Sequence, residues 1–135
     1  LIYALHHPEL FSSACPLSAS TSPHSVGDVK GRLDRYQPQA TKEISPDALQ
    51  AFYERYGTLH LVETLPEDQL KSVRWYIDCG DDDFLYEGNS LLHIALRKRG
   101  IPHEYRVRDG AHNWTYWRQS LPEVLWFVSE AFHQH

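Results

Sequence analysis

The period of the apolar positions changes several times along the chain. In Val73–Cys79 (VRWYIDC) β-branched and aromatic residues run together and stop at Gly80, which predicts a buried strand. Tyr86–Arg99 repeats apolar residues at helical spacing, with Leu91, Leu92, Ala95 and Leu96 facing inward, and Gly100-Ile101-Pro102 is a helix stop. His103–Arg108 (HEYRVR) alternates and predicts a second strand. Ser120-Leu121-Pro122-Glu123 has the form of a capping box, opening a last helix with Leu121, Val124, Leu125, Val128 and Phe132 at helical spacing. Near the start, Leu1–His7 reads as the last turns of a helix ended by Pro8. Phe11–Ala19 reads as a short buried strand in which Pro16 marks an edge, a bulge or a strand end. Ser20–Glu43 is poor in aliphatics and rich in Ser, Pro, Gly and charge, and predicts a long surface excursion. Ser45 then caps a helix with Pro46 in its first position; it carries Leu49, Phe52 and Tyr53 on one face and stops at Gly57. Thr58–Leu65 adds another helical turn or two.

Strands alternating with helices place the chain in the α/β class, with a mostly parallel sheet flanked by helices. Three strands with a helix at each end look like the second half of a larger sheet. The 135 residues begin inside the apolar stretch Leu1–Leu5 and contain no Met, which suggests a fragment. The expected organisation is part of one domain over 1–135, with 21–64 as a lid or insertion. A net charge of −5 and a pI near 6.0 argue against a nucleic-acid partner, and no apolar run approaches the roughly 18 residues of a membrane span. Cys15 and Cys79 lie in apolar runs and read as buried thiols.

In open parallel sheets, ligands bind outside the carboxyl ends of the strands. Here one strand runs into Gly80-Asp81-Asp82-Asp83 and the next into Asp109-Gly110-Ala111-His112. An acid after one strand and a His after the next match the last two members of a Ser, Asp, His series on an α/β-hydrolase sheet. On the residues alone the acid is any of the three aspartates, and a solvated acidic turn is an equally ordinary use of them. The alternate-residue spacing of a calcium loop is absent.

The stretch CGDDDFLYEGNSLLHIALRKRGIPHEYRVRDGAHNWTYW (79–117) resembles the C-terminal signature of the putative-esterase family of α/β hydrolases. That family includes S-formylglutathione hydrolase (esterase D), feruloyl and acetyl-xylan esterases, tributyrin esterases and mycolyltransferases. The opening ALHHPELFSSACPLSAS (4–20) resembles its segment after the nucleophile elbow, and residues 21–64 match only as a variable lid. The resemblance implies the C-terminal half of an α/β-hydrolase sheet, with Asp83 as triad acid and His112 as base. It also implies a carboxylic ester hydrolase without cofactor or metal, acting on a small-molecule or carbohydrate-linked ester. No Gly-x-Ser-x-Gly occurs in these residues. The family's nucleophile would fall about ten residues before Leu1, so the chain by itself is expected to be inert.

Other chemistry-bearing residues are weaker candidates. Trp114, Tyr116 and Trp117 follow His112; Trp114 and Trp117 are candidate substrate-binding residues, and all three also suit packing of the last helix on the sheet. Ser18 and Ser20 end a strand but lack the glycines of a nucleophile elbow. His6 and His7 end a helix; His60, His93 and His103 fall within elements; His133 and His135 lie at the terminus. No His-Glu-x-x-His or Cys/His cluster suggests a metal site. Rival readings are a non-catalytic α/β-hydrolase-like binding domain, or an acyltransferase or peptidase on the same fold. A half-sheet with an exposed apolar edge predicts self-association, as a homo-oligomer or as aggregates; light scattering on the isolated chain should give a mass above the monomer's.

Overall fold

A computed structural model of the chain describes residues 1–133; His135 lies outside them. Helix α1 (Ile2–His6) and a 3-10 turn (Pro8–Leu10) lead into strand β1 (Ser13–Ala14). Helices α2 (Val26–Tyr36), α3 (Pro38–Thr41), α4 (Pro46–Tyr56), α5 (Thr58–Thr64) and α6 (Glu67–Lys71) follow. Then come β2 (Arg74–Gly80), α7 (Tyr86–Lys98), β3 (His103–Arg108) and α8 (Trp114–Phe132). The three strands form one parallel sheet in the order β1-β2-β3. A parallel sheet with flanking helices is the expected α/β arrangement.

The period-2 alternation of β2 organises both layers. Trp75 and Ile77 point to one side, where they pack with Leu5, Leu61, Val62, Leu70, Leu92, Leu96 and Ile101 from α1, α5, α6 and the α7 region. Trp75 also donates its indole N–H to Leu70 O at 2.7 Å, so the largest ring in this layer leaves no buried donor unpaired. Burial of each such side chain contributes about 1.5–3 kcal/mol. Tyr76 and Asp78 point to the other side, against α8: the Tyr76 ring lies 5.4 Å from that of Phe127. Asp78 is fully buried, and Tyr116 of α8 donates its hydroxyl to it. Arg108 of β3 donates to its second oxygen at 2.6 Å and reaches Glu123 of α8 at 2.6 Å. Burial, with the hydrogen bond to Asp78, pushes the Tyr116 hydroxyl well above the ordinary phenol range.

Five sequence expectations change here. The capping box does not start the last helix: α8 begins seven residues earlier than expected, at Trp114, capped by Asn113, whose Oδ1 accepts from Tyr116 N at 3.1 Å. Ser120 is buried in mid-helix, Glu123 is an ion-pair partner and Pro122 lies in the interior. As a result Leu121, Leu125 and Phe132 are exposed, and Tyr116, Ser120 and Phe127 form the buried side. The 20–43 excursion folds into α2 and α3, with Ser25 as N-cap of α2. The end of 21–64, α5, belongs to the main core through Leu61 and Val62. The strand expected over 11–19 keeps two residues, half-buried, because Pro16 has no N–H for the ladder; Leu17 rejoins β2 opposite Asp78. Leu91 is partly exposed rather than inward.

The Asp78 cluster makes a stability prediction. Arg108→Met leaves a buried carboxylate without its cation and should cost about 3 kcal/mol. The double variant Asp78→Asn/Arg108→Met should lose less than the single, since no buried charge remains. Urea denaturation midpoints of the two variants check the ordering.

Candidate active site

The exits of β2 and β3 are fastened together by backbone contacts. Asp81 N donates to Arg108 O at 3.0 Å and Asp82 N to Gly110 O at 3.0 Å, while Gly110 N donates to Asp81 Oδ1 at 3.1 Å. The approach is close enough that a Cβ on Gly80 would lie 2.0 Å from Gly110 O. Gly110 itself sits at φ 144°, where an added Cβ would also strike the Tyr116 ring at 2.6 Å. Both positions therefore require glycine.

This fastening brings Asp83 and His112 together. His112 Nδ1 lies 3.0 Å from Asp83 Oδ2 and 3.2 Å from Oδ1. The Asp83 side chain is 0% exposed and that of His112 33% exposed, so the acid is enclosed and the imidazole faces outward. Leu85 N donates to Asp83 Oδ1 at 2.8 Å, at the start of α7. Burial alone would raise the Asp83 pKa. The nearby Ser18 hydroxyl and the hydrogen bonds from Leu85 N–H and His112 outweigh it and hold the carboxyl below its ordinary value. Asp81 and Asp82, the other aspartates of the turn, are exposed and lie away from this pair; with Asp109 they form a surface acidic group.

Aromatic rings surround the base. Phe84 packs at 4.7 Å from the His112 ring, and Trp117 meets it edge-on at 4.9 Å. Trp114 stands against Trp117 at 5.2 Å and is largely exposed. Tyr116, on the other side of α8, belongs to the Asp78 cluster. Trp117 spends its indole N–H on Ser18 Oγ at 2.9 Å. Ser18 is buried and has φ 54°, a left-handed backbone that non-glycine residues seldom adopt. Ser20 is not part of these contacts.

Among the sequence candidates, the structure gathers Asp83, His112 and Trp117, with Trp114 at their margin. Phe84 and the supporting role of Ser18 are additions that the sequence reading lacks. Phe84 has a signal, since it directly follows the acid in the chain. Ser18 has none, because its bond to Trp117 spans 99 positions. Cys79, beside this site on β2, is a buried thiol pushed up to about 12 by desolvation and the nearby carboxylates, and Cys15 is pushed up to about 11; both are free.

Comparison with known proteins gives a consistent picture. The chain is 30% identical over 71 residues to an acetyl esterase of Caldicellulosiruptor saccharolyticus, spanning 53% of this chain and 27% of that protein. Its fold superposes on a ferulic acid esterase with a TM-score of 0.73 at 30% identity, covering 97% of this chain and 46% of that one. It also matches the S-formylglutathione hydrolase of Staphylococcus aureus, with a TM-score of 0.64 at 22% identity over 94% of this chain and 48% of the other. The chain thus spans less than half the length of each of these relatives. Residues 1–128 match the family described as "Putative esterase", and with a parallel sheet and strand-end loops to suit, the chain belongs to that family of esterase-type hydrolases.

Proposed function

We propose that Asp83 and His112 are the acid and base of a Ser-His-Asp triad in a carboxylic ester hydrolase, with the serine contributed by residues before Leu1 in the intact protein. The observation that carries this reading is the 3.0 Å pairing of an outward-facing imidazole with a buried, hydrogen-bonded carboxylate at adjacent strand ends. Two further facts support it: the relatives are about twice as long or more, and no Gly-x-Ser-x-Gly lies within these 135 residues.

The chemistry follows from the geometry. With Nδ1 directed at Asp83, the His112 tautomer that carries its proton on Nδ1 leaves Nε2 free to accept another. Nε2 takes the proton of the serine hydroxyl as that oxygen attacks the ester carbonyl, and returns it to the departing alcohol. Water then enters by the same route and releases the acid. Asp83 fixes the tautomer and stabilises the imidazolium as it forms. No cofactor takes part in this scheme. Trp114 and Trp117 would border the ester, and the substrate would be a small-molecule or carbohydrate-linked ester, in keeping with the acetyl and ferulic acid esterases that the chain is similar to. The chain by itself would not turn over, since it lacks the nucleophile.

In the intact enzyme, Asp83→Asn and His112→Ala should each lower kcat for a short p-nitrophenyl ester by about three orders of magnitude or more. Turnover retained in His112→Ala would end the triad reading.

The depressed pKa of Asp83 fixes a pH dependence. A lowered folded pKa means that the ionised form stabilises the fold above the unfolded value of about 3.9 and that this contribution disappears as pH falls through the lower folded value. Asp83 therefore stays charged throughout the working range. Asp83 should therefore add no proton uptake to the acid limb of kcat/KM above the ordinary carboxylate value of about 4. A slope that steepens to two above that value would show Asp83 taking up a proton there.

A further inference from the structure

We propose that Ser18 and Trp117 act as a positioning pair, a hydrogen-bonded wall that fixes the His112 ring against Asp83. This rests on the triad reading and adds to it a hydroxyl and an indole N–H that act through the base rather than on the ester.

Ser18 is held firmly by its surroundings. Its N–H donates to Asp78 O at 2.8 Å, and the carbonyl of the next residue, Ala19, accepts from the buried Asn89 side chain at 2.9 Å. Both anchors lie on elements that flank the site, β2 and α7, and they hold the chain at φ 54°. A non-glycine residue keeps such a backbone where neighbouring contacts over-determine it, and these cases concentrate at functional sites.

What the conformation achieves is the placement of one oxygen. Ser18 Oγ accepts the Trp117 indole N–H at 2.9 Å, a contact between the end of β1 and the first turns of α8. Ser18 also lies near the Asp83 carboxylate and favours its ionised form. The tethered indole in turn stands edge-on to His112 at 4.9 Å, interplanar angle 87°. Phe84 covers the imidazole from elsewhere at 4.7 Å. The ring of the base is thus confined by Trp117, Phe84 and its bond to Asp83. Ser18 holds one of these three constraints directly, through the bond of its hydroxyl oxygen to the Trp117 indole. With the tether cut, the Trp117 ring would be free to turn, and the imidazole would lose one wall.

The test uses the intact enzyme and a short p-nitrophenyl ester. Ser18→Gly is the informative variant, because glycine adopts the left-handed backbone without strain while the small side chain and its hydroxyl are lost. Trp117→Phe removes the N–H and keeps an aromatic ring. Ser18→Gly should lower kcat about tenfold with KM within about twofold, as expected when the base is misplaced rather than the substrate bound less well, and Trp117→Phe, whose ring also borders the ester, should lower kcat to a similar degree. The double variant should be no slower than the slower single, since both break one bond. Thermal unfolding of Ser18→Gly within a few degrees of the parent would separate this loss from misfolding. Unchanged kcat in Ser18→Gly, a change confined to KM, or multiplicative losses in the double variant would each overturn the pairing. His112→Ala belongs in the same series: if it stays active the triad reading fails, whereas an inactive His112→Ala beside a fully active Ser18→Gly sinks the Ser18 proposal alone.

Discussion

The parallel register of β2 and β3 is the constraint on which the rest of the molecule depends. Six consecutive pairings, from Trp75 opposite His103 to Gly80 opposite Arg108, bring both strands to the same edge of the sheet together. Beyond that edge the two loops continue to bond, Asp81 to Arg108 and Asp82 to Gly110. A carboxylate three residues past one strand and an imidazole four residues past the other then meet at hydrogen-bond distance. A slip of one residue would turn each side chain to the opposite face and separate them. Gly80 and Gly110 matter for the same reason: they are where two backbones approach too closely for a Cβ.

Strand β2 does unlike things on its two faces. Toward α1, α5 and α7 it buries an apolar layer of ordinary composition. Toward α8 it buries Asp78, which is tolerable because Arg108 and Tyr116 supply a cation and a hydroxyl to its two oxygens. Hydrophobic contact has no preferred direction, whereas these bonds do. They fix how α8 sits on the sheet, through Tyr116 before Pro122 and Glu123 just after it. Because His112 immediately precedes the Asn113 cap of α8, the placement of that helix is also the placement of the base. The Asp78 cluster and the Asp83–His112 pair are thus mechanically linked through adjacent residues of α8's first turns, Tyr116 and Trp117.

The capping-box reading fails for a reason of the same kind. Ser120 and Glu123 have the right spacing, and Pro122 is a residue that helix interiors avoid at a cost of about 3 kcal/mol. Read locally, a helix start at Ser120 is sound. In the folded chain Ser120 is buried next to the sheet and bonds back to Tyr116 O, and Glu123 turns to Arg108. Anchoring at Tyr116 and Phe127, on either side of the proline, offsets the local penalty. Residues 20–43 show the converse: α2 is a polar helix with Val29 as its buried residue, so its periodicity is too faint to separate from a loop.

Taken by itself, the sequence determined whatever local repetition can encode. The β-branched and aromatic run Val73–Cys79, the alternation in His103–Arg108, helical spacing in Tyr86–Arg99 and the succession of strand and helix gave an α/β sheet, and the strand-end positions of Asp83 and His112 made them candidates. Tertiary structure alone decided which of three adjacent aspartates faces the histidine, where α8 begins, and that Ser18 is a tether for Trp117. Those outcomes depend on contacts between residues 29, 38 and 99 positions apart. Local propensity carries no information about such distances, because they are set by how the register of the sheet and the seating of α8 close the chain on itself.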